Sequence, residues 1–149
     1  MEIQVGRLRE AIDLLSVVAE KTGKGKGLAS FGCVAIGNGQ IHAAGHACWA
    51  QMPLPEADGQ EPFLLPARAA VKFLAQTPGY LNATVRARKK GDGAVIETSA
   101  GRTEIDAPAG PDAFPGMPQL TAVGGGLLDG DQLFGRMTAI APYTFAEEG

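Results

Sequence analysis

Residues 1–19 read MEIQVGRLREAIDLLSVVA, a stretch that joins a short strand to an amphipathic helix. Met1–Val5 alternates apolar and polar side chains, which is the period of a strand that buries one face. Beyond it, apolar residues recur at helical spacing opposite a polar face; they are Leu8, Ala11, Ile12, Leu15, Val18 and Ala19. Gly23 can end this helix with a left-handed cap. The stretch therefore predicts a strand that leads directly into a helix of about three turns.

The chain beyond this helix predicts further strands and a second helix. Strands are predicted at residues 31–36, 40–52, 83–89, 94–98 and 102–107. The second helix begins at Pro66, where the missing N–H does no harm, with Ala69, Ala70, Phe73 and Leu74 facing inward. Because the strands outnumber the helices and are joined by short turns, the sequence predicts an α+β fold with a mainly antiparallel sheet and two helices on one face.

Residues 108–118 are rich in proline and glycine and form the best candidate for a linker. Residues 120–123 then predict a strand, and residues 131–141 predict a last helix with Leu133, Phe134, Met137 and Ile140 on its apolar face. This strand and helix repeat the opening elements in type. We therefore predict a domain over residues 1–118, followed over 119–149 by the first elements of an incomplete second repeat.

Composition and charge set broad limits on function. The chain has 149 residues, of which 45% are hydrophobic, and it contains two cysteines. It has no apolar run long enough to cross a membrane, no secretory leader pattern and no disulfide framework, so we expect a cytoplasmic protein. The net charge of −3 combines +4 over residues 1–90 with −7 over residues 91–149. A basic patch on a modestly acidic protein fits this asymmetry, and a wholly cationic nucleic-acid binder does not.

Several motifs, taken in order, resemble a known family. After the opening strand and helix comes a basic loop, Lys21–Gly27, followed by Leu64-Leu65-Pro66-Ala67-Arg68, the turn Ser99-Ala100-Gly101-Arg102 and the stretch Ala113-Phe114-Pro115-Gly116-Met117-Pro118. This order and spacing resemble the first domain of the bacterial DNA sliding clamp, the beta subunit of DNA polymerase III. Residues 129–148 are similar to the first helix of the next clamp domain.

The resemblance implies a processivity factor of DNA replication that encircles or contacts duplex DNA, with no enzymatic activity, no catalytic residue, no metal and no cofactor. Basic side chains facing the duplex would attract phosphates without reading sequence. The position of Lys24 matches a DNA-facing basic residue of the family, and the further candidates are Arg7, Lys21, Lys26, Arg68 and Lys72.

The resemblance also implies self-association. The strand that matches the family's subunit boundary comprises Arg102, Thr103, Glu104, Ile105, Asp106 and Ala107. Exposed strand edges pair readily with other chains, so we expect a homo-oligomer. Family clamps have three such domains and bind partner peptides at the second and third. Replication proteins are therefore possible partners, but the usual peptide pocket would be absent from this chain.

Other interpretations remain open. The chain could be a stand-alone interaction or oligomerisation module of clamp fold without DNA binding. Cys33, His42, His46 and Cys48 carry zinc-ligand chemistry, and His42, His46 and Cys48 would share one face of a regular strand, which would make a small zinc-binding domain. For nucleophilic catalysis, the one candidate is the Cys48 thiol with His46 or His42 as its base. The Gly23–Gly27 loop lacks the Ser or Thr of a phosphate-binding loop, and Arg68 and Lys72 could be ordinary solvated charges.

Overall fold

The computed structural model describes residues 1–19, 29–45 and 48–115, and these ranges form eight strands and two helices. In chain order they are β1 (Glu2–Gln4), α1 (Val5–Ser16), β2 (Cys33–Gly37), β3 (Gln40–Ala44), β4 (Trp49–Pro53), β5 (Phe63–Pro66), α2 (Ala67–Leu74), β6 (Asn82–Ala87), β7 (Gly93–Thr98) and β8 (Gly101–Asp106). All strand pairs are antiparallel. The predicted α+β class is therefore confirmed.

The strands form two sheets of four, in the orders β1-β6-β7-β8 and β4-β3-β2-β5. We expected one curved layer of strands. The division arises because the chain leaves β1 through α1 and returns to β1 only at β6, so β2 to β5 hydrogen-bond among themselves in between. The two sheets meet where β5 approaches β7 and β8.

Helix α1 follows β1 without a loop because its first turn hydrogen-bonds to a neighbouring segment. The Val5 N–H donates to the carbonyl oxygen of Leu81 and the Gly6 N–H donates to that of Gly79. Each donor–acceptor distance is 2.8 Å. These bonds satisfy donors that a helix start leaves without an internal partner. A side chain at Gly6 would meet Gly79 O at 3.0 Å, so glycine permits the close approach. The helix ends at Ser16, so the predicted end at Gly23 is wrong.

Helix α2 begins at Ala67, directly after β5, with Pro66 at its N-cap position. Its buried residues are Ala67, Ala70 and Leu74, and Phe73 is partly buried. The expectation that Ala69 faces inward is wrong, because Ala69 is exposed. The apolar stripe of this short helix is defined by the spacing from Ala67 through Ala70 to Leu74, and Ala69 lies beside that stripe.

Both helices and the inner faces of both sheets share one apolar core. Helix α1 contributes Leu8 and Ile12, the first sheet contributes Val85 and Ile96, and Phe63 of the second sheet is fully buried among them. The helices also contact each other. Two helices on one face, as predicted, are therefore confirmed. Of the helices in the described ranges, none is long and apolar enough to cross a membrane.

The strands predicted on either side of residues 37–39 pair with each other as a hairpin. Ile36 pairs with Ile41 and Gly37 with Gln40, which leaves Asn38 and Gly39 as a two-residue turn. Both turn residues have positive φ, 51° and 74°, as a type I′ hairpin turn requires.

The single strand predicted over residues 40–52 is wrong. The chain turns back after Ala44, so that β4 pairs with β3 and Trp49 lies opposite Ala44. The Gly45 N–H donates to Cys48 O at 2.9 Å across this turn. Because the strand stops at Ala44, His42 and Cys48 do not lie on one regular strand face, and the parity argument for a zinc site fails. The structure does not describe His46.

Three predictions about the chain beyond residue 115 lie outside the described residues. They are the strand at 120–123, the helix at 131–141 and the domain boundary near Pro118. Each stays a prediction.

Candidate nucleic-acid and subunit surfaces

Helix α2 presents two predicted DNA-binding residues, Arg68 and Lys72, to solvent. They are four residues apart and therefore share the helix face opposite Ala70 and Leu74. Neither forms an ion pair with any residue that the structure describes. Their charges are thus available to an anionic partner.

Arg7, in the first turn of α1, has a different environment. Its Nη1 lies 2.8 Å from Glu56 Oε1, and the Glu56 side chain is only 23% exposed. A carboxylate this close and this shielded offsets most of the positive charge that Arg7 could offer to phosphate. The assignment of Arg7 to a DNA surface stays a prediction.

The remaining predicted DNA contacts, Lys21, Lys24 and Lys26, lie outside the described residues. The described chain stops at Ala19 and resumes at Ala29. Their assignment to the DNA surface stays a prediction.

The exposed face of α1 is acidic and apolar. Glu10 and Asp13 are exposed, and Leu14 and Val17 are 59% and 87% exposed. Arg9 is half-buried beside them. Such a face repels phosphate, so the described part of α1 adds little to a DNA-contacting surface.

The arginines on the outer face of the first sheet are already paired. Arg86 lies 3.9 Å from Glu97, Arg102 lies 3.5 Å from Glu97 and 3.3 Å from Glu104, and Arg88 pairs with Asp106. Within the described residues, the outer face of this sheet is therefore close to neutral, whereas α2 carries unpaired cations.

Strand β8 forms one edge of the first sheet, as a subunit-boundary strand requires. No strand in the described ranges pairs with its outer side. Arg102, Glu104 and Asp106 are exposed, and Ile105 is buried. Ala107 continues the pairing with β7, since its N–H donates to Asp92 O at 2.8 Å. The predicted interface Arg102–Ala107 is thus placed at a free edge, and its role as an interface stays a prediction.

The zinc and nucleophile hypotheses find little support in the described geometry. Burial raises the pKa of the Cys33 thiol to about 11, so it stays protonated at neutral pH and is a poor ligand or nucleophile. Cys48 is exposed. Residues 1–19, 29–45 and 48–115 contain no group of three metal-ligating side chains positioned around one ion.

A small aromatic cluster, whose members are linked by no sequence motif, covers the outer face of the second sheet. The His42 ring stacks on Trp49 at 5.5 Å between centroids and meets the edge of Phe114 at 5.3 Å. Burial lowers the pKa of His42, so the neutral ring packs here as an apolar group. Ser30 Oγ also donates to Ala113 O at 3.2 Å. Together these contacts attach the segment after β8 to the second sheet.

This arrangement matches solved structures of bacterial DNA sliding clamps. The DNA polymerase III subunit beta from Pseudomonas aeruginosa superimposes with a TM-score of 0.66 at 15% identity, over 100% of this chain and 40% of that one. The clamp from Bacillus subtilis superimposes with a TM-score of 0.62 at 14% sequence identity, and the match covers 79% of this chain and 33% of that one. The Helicobacter pylori beta clamp, solved with a DNA ligase peptide, superimposes with a TM-score of 0.63 at 12% sequence identity. This match covers 81% of this chain and 33% of that one.

No protein-family model and no curated protein matches the sequence. At these identities the structural likeness establishes the fold, which is that of a sliding-clamp domain. The chain spans about a third to two fifths of the length of the clamps it matches.

Proposed function

We propose that this chain is a clamp-type processivity protein of DNA replication. It contacts duplex DNA through its helix layer, which is the side of the fold formed by α1 and α2, and the contacts come from α2 through Arg68 and Lys72. The observation that carries the proposal is the contrast between the two sides of the fold. Arg68 and Lys72 are exposed and unpaired within the described residues, whereas the outer-sheet arginines are neutralised by carboxylates. The similarity to the sliding-clamp fold supports placing the DNA contact on the helix side of the protein.

The chemistry of this contact is electrostatic. Guanidinium and ammonium groups bind phosphate oxygens of either strand and displace condensed counterions, so binding needs no base sequence and weakens with salt. No catalytic group is required, and the role is that of a cytoplasmic scaffold.

A salt titration of the whole chain with a fluorescent duplex tests this proposal. The logarithm of the association constant is expected to fall linearly with the logarithm of salt concentration, with a slope of about −0.9 for each phosphate contact. Duplexes of unrelated sequence should bind alike. Binding that is insensitive to salt, or no binding at low salt, would contradict the proposal.

The acidic and apolar face of α1 favours a second candidate, an interaction module of clamp fold that does not bind DNA. Leu14 and Val17 are unusually exposed for large apolar side chains, and the adjacent Glu10 and Asp13 disfavour phosphate. In the same titration this candidate predicts no duplex binding at any salt concentration, while self-association persists.

A further inference from the structure

We propose that the exposed face of α1 is a docking groove for a basic amphipathic helix of another protein. The side chains that would contact this helix are those of Glu10, Asp13, Leu14 and Val17. The proposal goes beyond DNA contact and does not depend on it, because it concerns a different helix of the fold and a partner of opposite charge.

The four side chains form one continuous stripe along α1. They occupy positions i, i+3, i+4 and i+7, which are neighbours on the surface of a helix. Val17 follows the last helical residue but keeps helical backbone angles, with φ −64° and ψ −34°, so it extends the stripe. All four residues are exposed. The stripe is therefore a helix face that no described part of the chain covers.

The stripe lines a shallow groove of about 550 Å³. At the end nearest the start of α1, the Gly6 N–H donates to the carbonyl oxygen of Gly79. Neither residue has a side chain, so a partner side chain can reach the backbone at this end. Arg9 also lines the groove and is half-buried. The groove is thus open to a partner along its length.

The apolar part of the groove is exposed to an unusual degree. Leu14 and Val17 are two of the three large apolar side chains that are exposed in the described residues, and they lie about one helical turn apart. Adjoining apolar side chains with polar neighbours are typical of interaction sites, whereas single exposed ones are not. Leu14 and Val17 therefore supply the apolar contact for a partner.

The charge of the groove selects a cationic partner. Neither Glu10 nor Asp13 forms an ion pair with a residue that the structure describes. The last turn of α1 contains no basic side chain to offset the negative end of the helix dipole. Lysine or arginine side chains of a partner would be attracted to both carboxylates, whereas duplex DNA and anionic lipid would be repelled.

The elements around the groove select a helical partner. Apart from Gly79, its lining comes from α1 and the residue that follows it, so no strand edge among the described residues borders the groove for an extended peptide to pair with. Helices pack when the side-chain ridges of one fill the grooves of the other. Leucines at helical spacing would cover Leu14 and Val17, and flanking lysines would reach Glu10 and Asp13.

A synthetic helix of this chemistry tests the groove in the full chain. The probe is a fluorescein-labelled, amidated peptide of about 14 residues, or four turns, with leucines on one face, lysines beside them and alanine elsewhere. In fluorescence anisotropy we expect saturable binding that weakens with salt. A control peptide with glutamate in place of each lysine should bind at least about tenfold more weakly.

Charge reversal in the groove tests the electrostatic part. Glu10→Lys with Asp13→Lys should weaken binding of the lysine peptide about tenfold. The matched control is Glu61→Lys with Asp112→Lys, which changes the net charge equally at two exposed carboxylates outside the groove. This control should retain affinity within about threefold, because salt screens distant charges.

A neutral substitution tests the apolar part. Leu14→Gln with Val17→Gln should weaken peptide binding about tenfold while leaving the charge of the groove unchanged. Because both side chains are exposed, the variant should fold normally, and thermal unfolding followed by circular dichroism checks this.

Three results would overturn the proposal. They are no saturable binding of the lysine peptide up to millimolar concentration, equal binding of the two peptides, and equal losses in the groove variant and its charge-matched control. If the apolar substitution instead abolishes self-association of the chain, the groove is occupied by a second copy and the proposed partner is wrong. Duplex binding is measured separately by the salt titration, so failure of either proposal is distinguishable from failure of the other.

Discussion

Reversing both charges on α2, Arg68→Glu with Lys72→Glu, is expected to weaken duplex binding by about 100-fold at moderate salt. Both side chains are exposed and free of ion pairs within the described residues, so the folded protein should tolerate the change. The loss of two charge-assisted contacts, each of about 1.5 kcal/mol, accounts for the magnitude. Each substitution should also remove about one phosphate contact. The slope of the logarithm of the association constant against the logarithm of salt concentration should therefore become less negative by about 1 for each residue.

The matched control is Arg86→Glu with Lys89→Glu, which changes the net charge by the same amount. Arg86 lies on the outer face of β6, and Lys89 lies beside Val95 and Glu104 of that face. If the helix layer contacts DNA, this control should retain affinity within a few-fold. Equal losses in the two variants would mean that only net charge matters, and a larger loss in the control would place the contact on the sheet side.

Replacing Gly93 by alanine is expected to destabilise the domain by about 3–5 kcal/mol. Gly93 begins β7 with φ at +137°, and an added Cβ would lie 2.1 Å from the backbone oxygen of Ile105. Because that oxygen belongs to the neighbouring strand, relief of the clash requires β7 and β8 to separate. Urea unfolding, followed by circular dichroism, measures the change.

Gly101→Ala is the control that separates the clash from the backbone strain. Gly101 has nearly the same φ, +140°, but a Cβ there meets nothing within 4 Å. This variant should lose only about 1–3 kcal/mol, the cost of the unfavourable backbone region. Equal losses at the two positions would show that β8 does not approach Gly93 as described.

The sequence predicted those elements whose signal is local. Helix α1 follows from apolar residues at helical spacing, and the β2–β3 hairpin follows from Asn38-Gly39, which accepts positive φ at both positions. Strand β5 was missed because Phe63–Pro66 is short, wholly apolar and continuous with α2, so no period marks it. The turn between β3 and β4 was missed because residues on both sides of it have strand-forming character.

The candidate surfaces also differ in whether a local sequence signal predicts them. Arg68 and Lys72 could be placed on one face from their spacing alone. The pairing of Arg7 with Glu56 depends on contacts between distant parts of the chain, as does the packing of His42 against Phe114. Neither has a signal in any short window of sequence.

Mapping the duplex contact by NMR tests the central claim most directly. Amide signals of the isotope-labelled chain would be followed at low salt as a short duplex is added. We predict that the shifts concentrate on α2, around Arg68 and Lys72, and on residues 21–26. Shifts confined to the outer faces of β6 to β8, or no shifts at saturating duplex, would contradict a DNA-contacting helix layer.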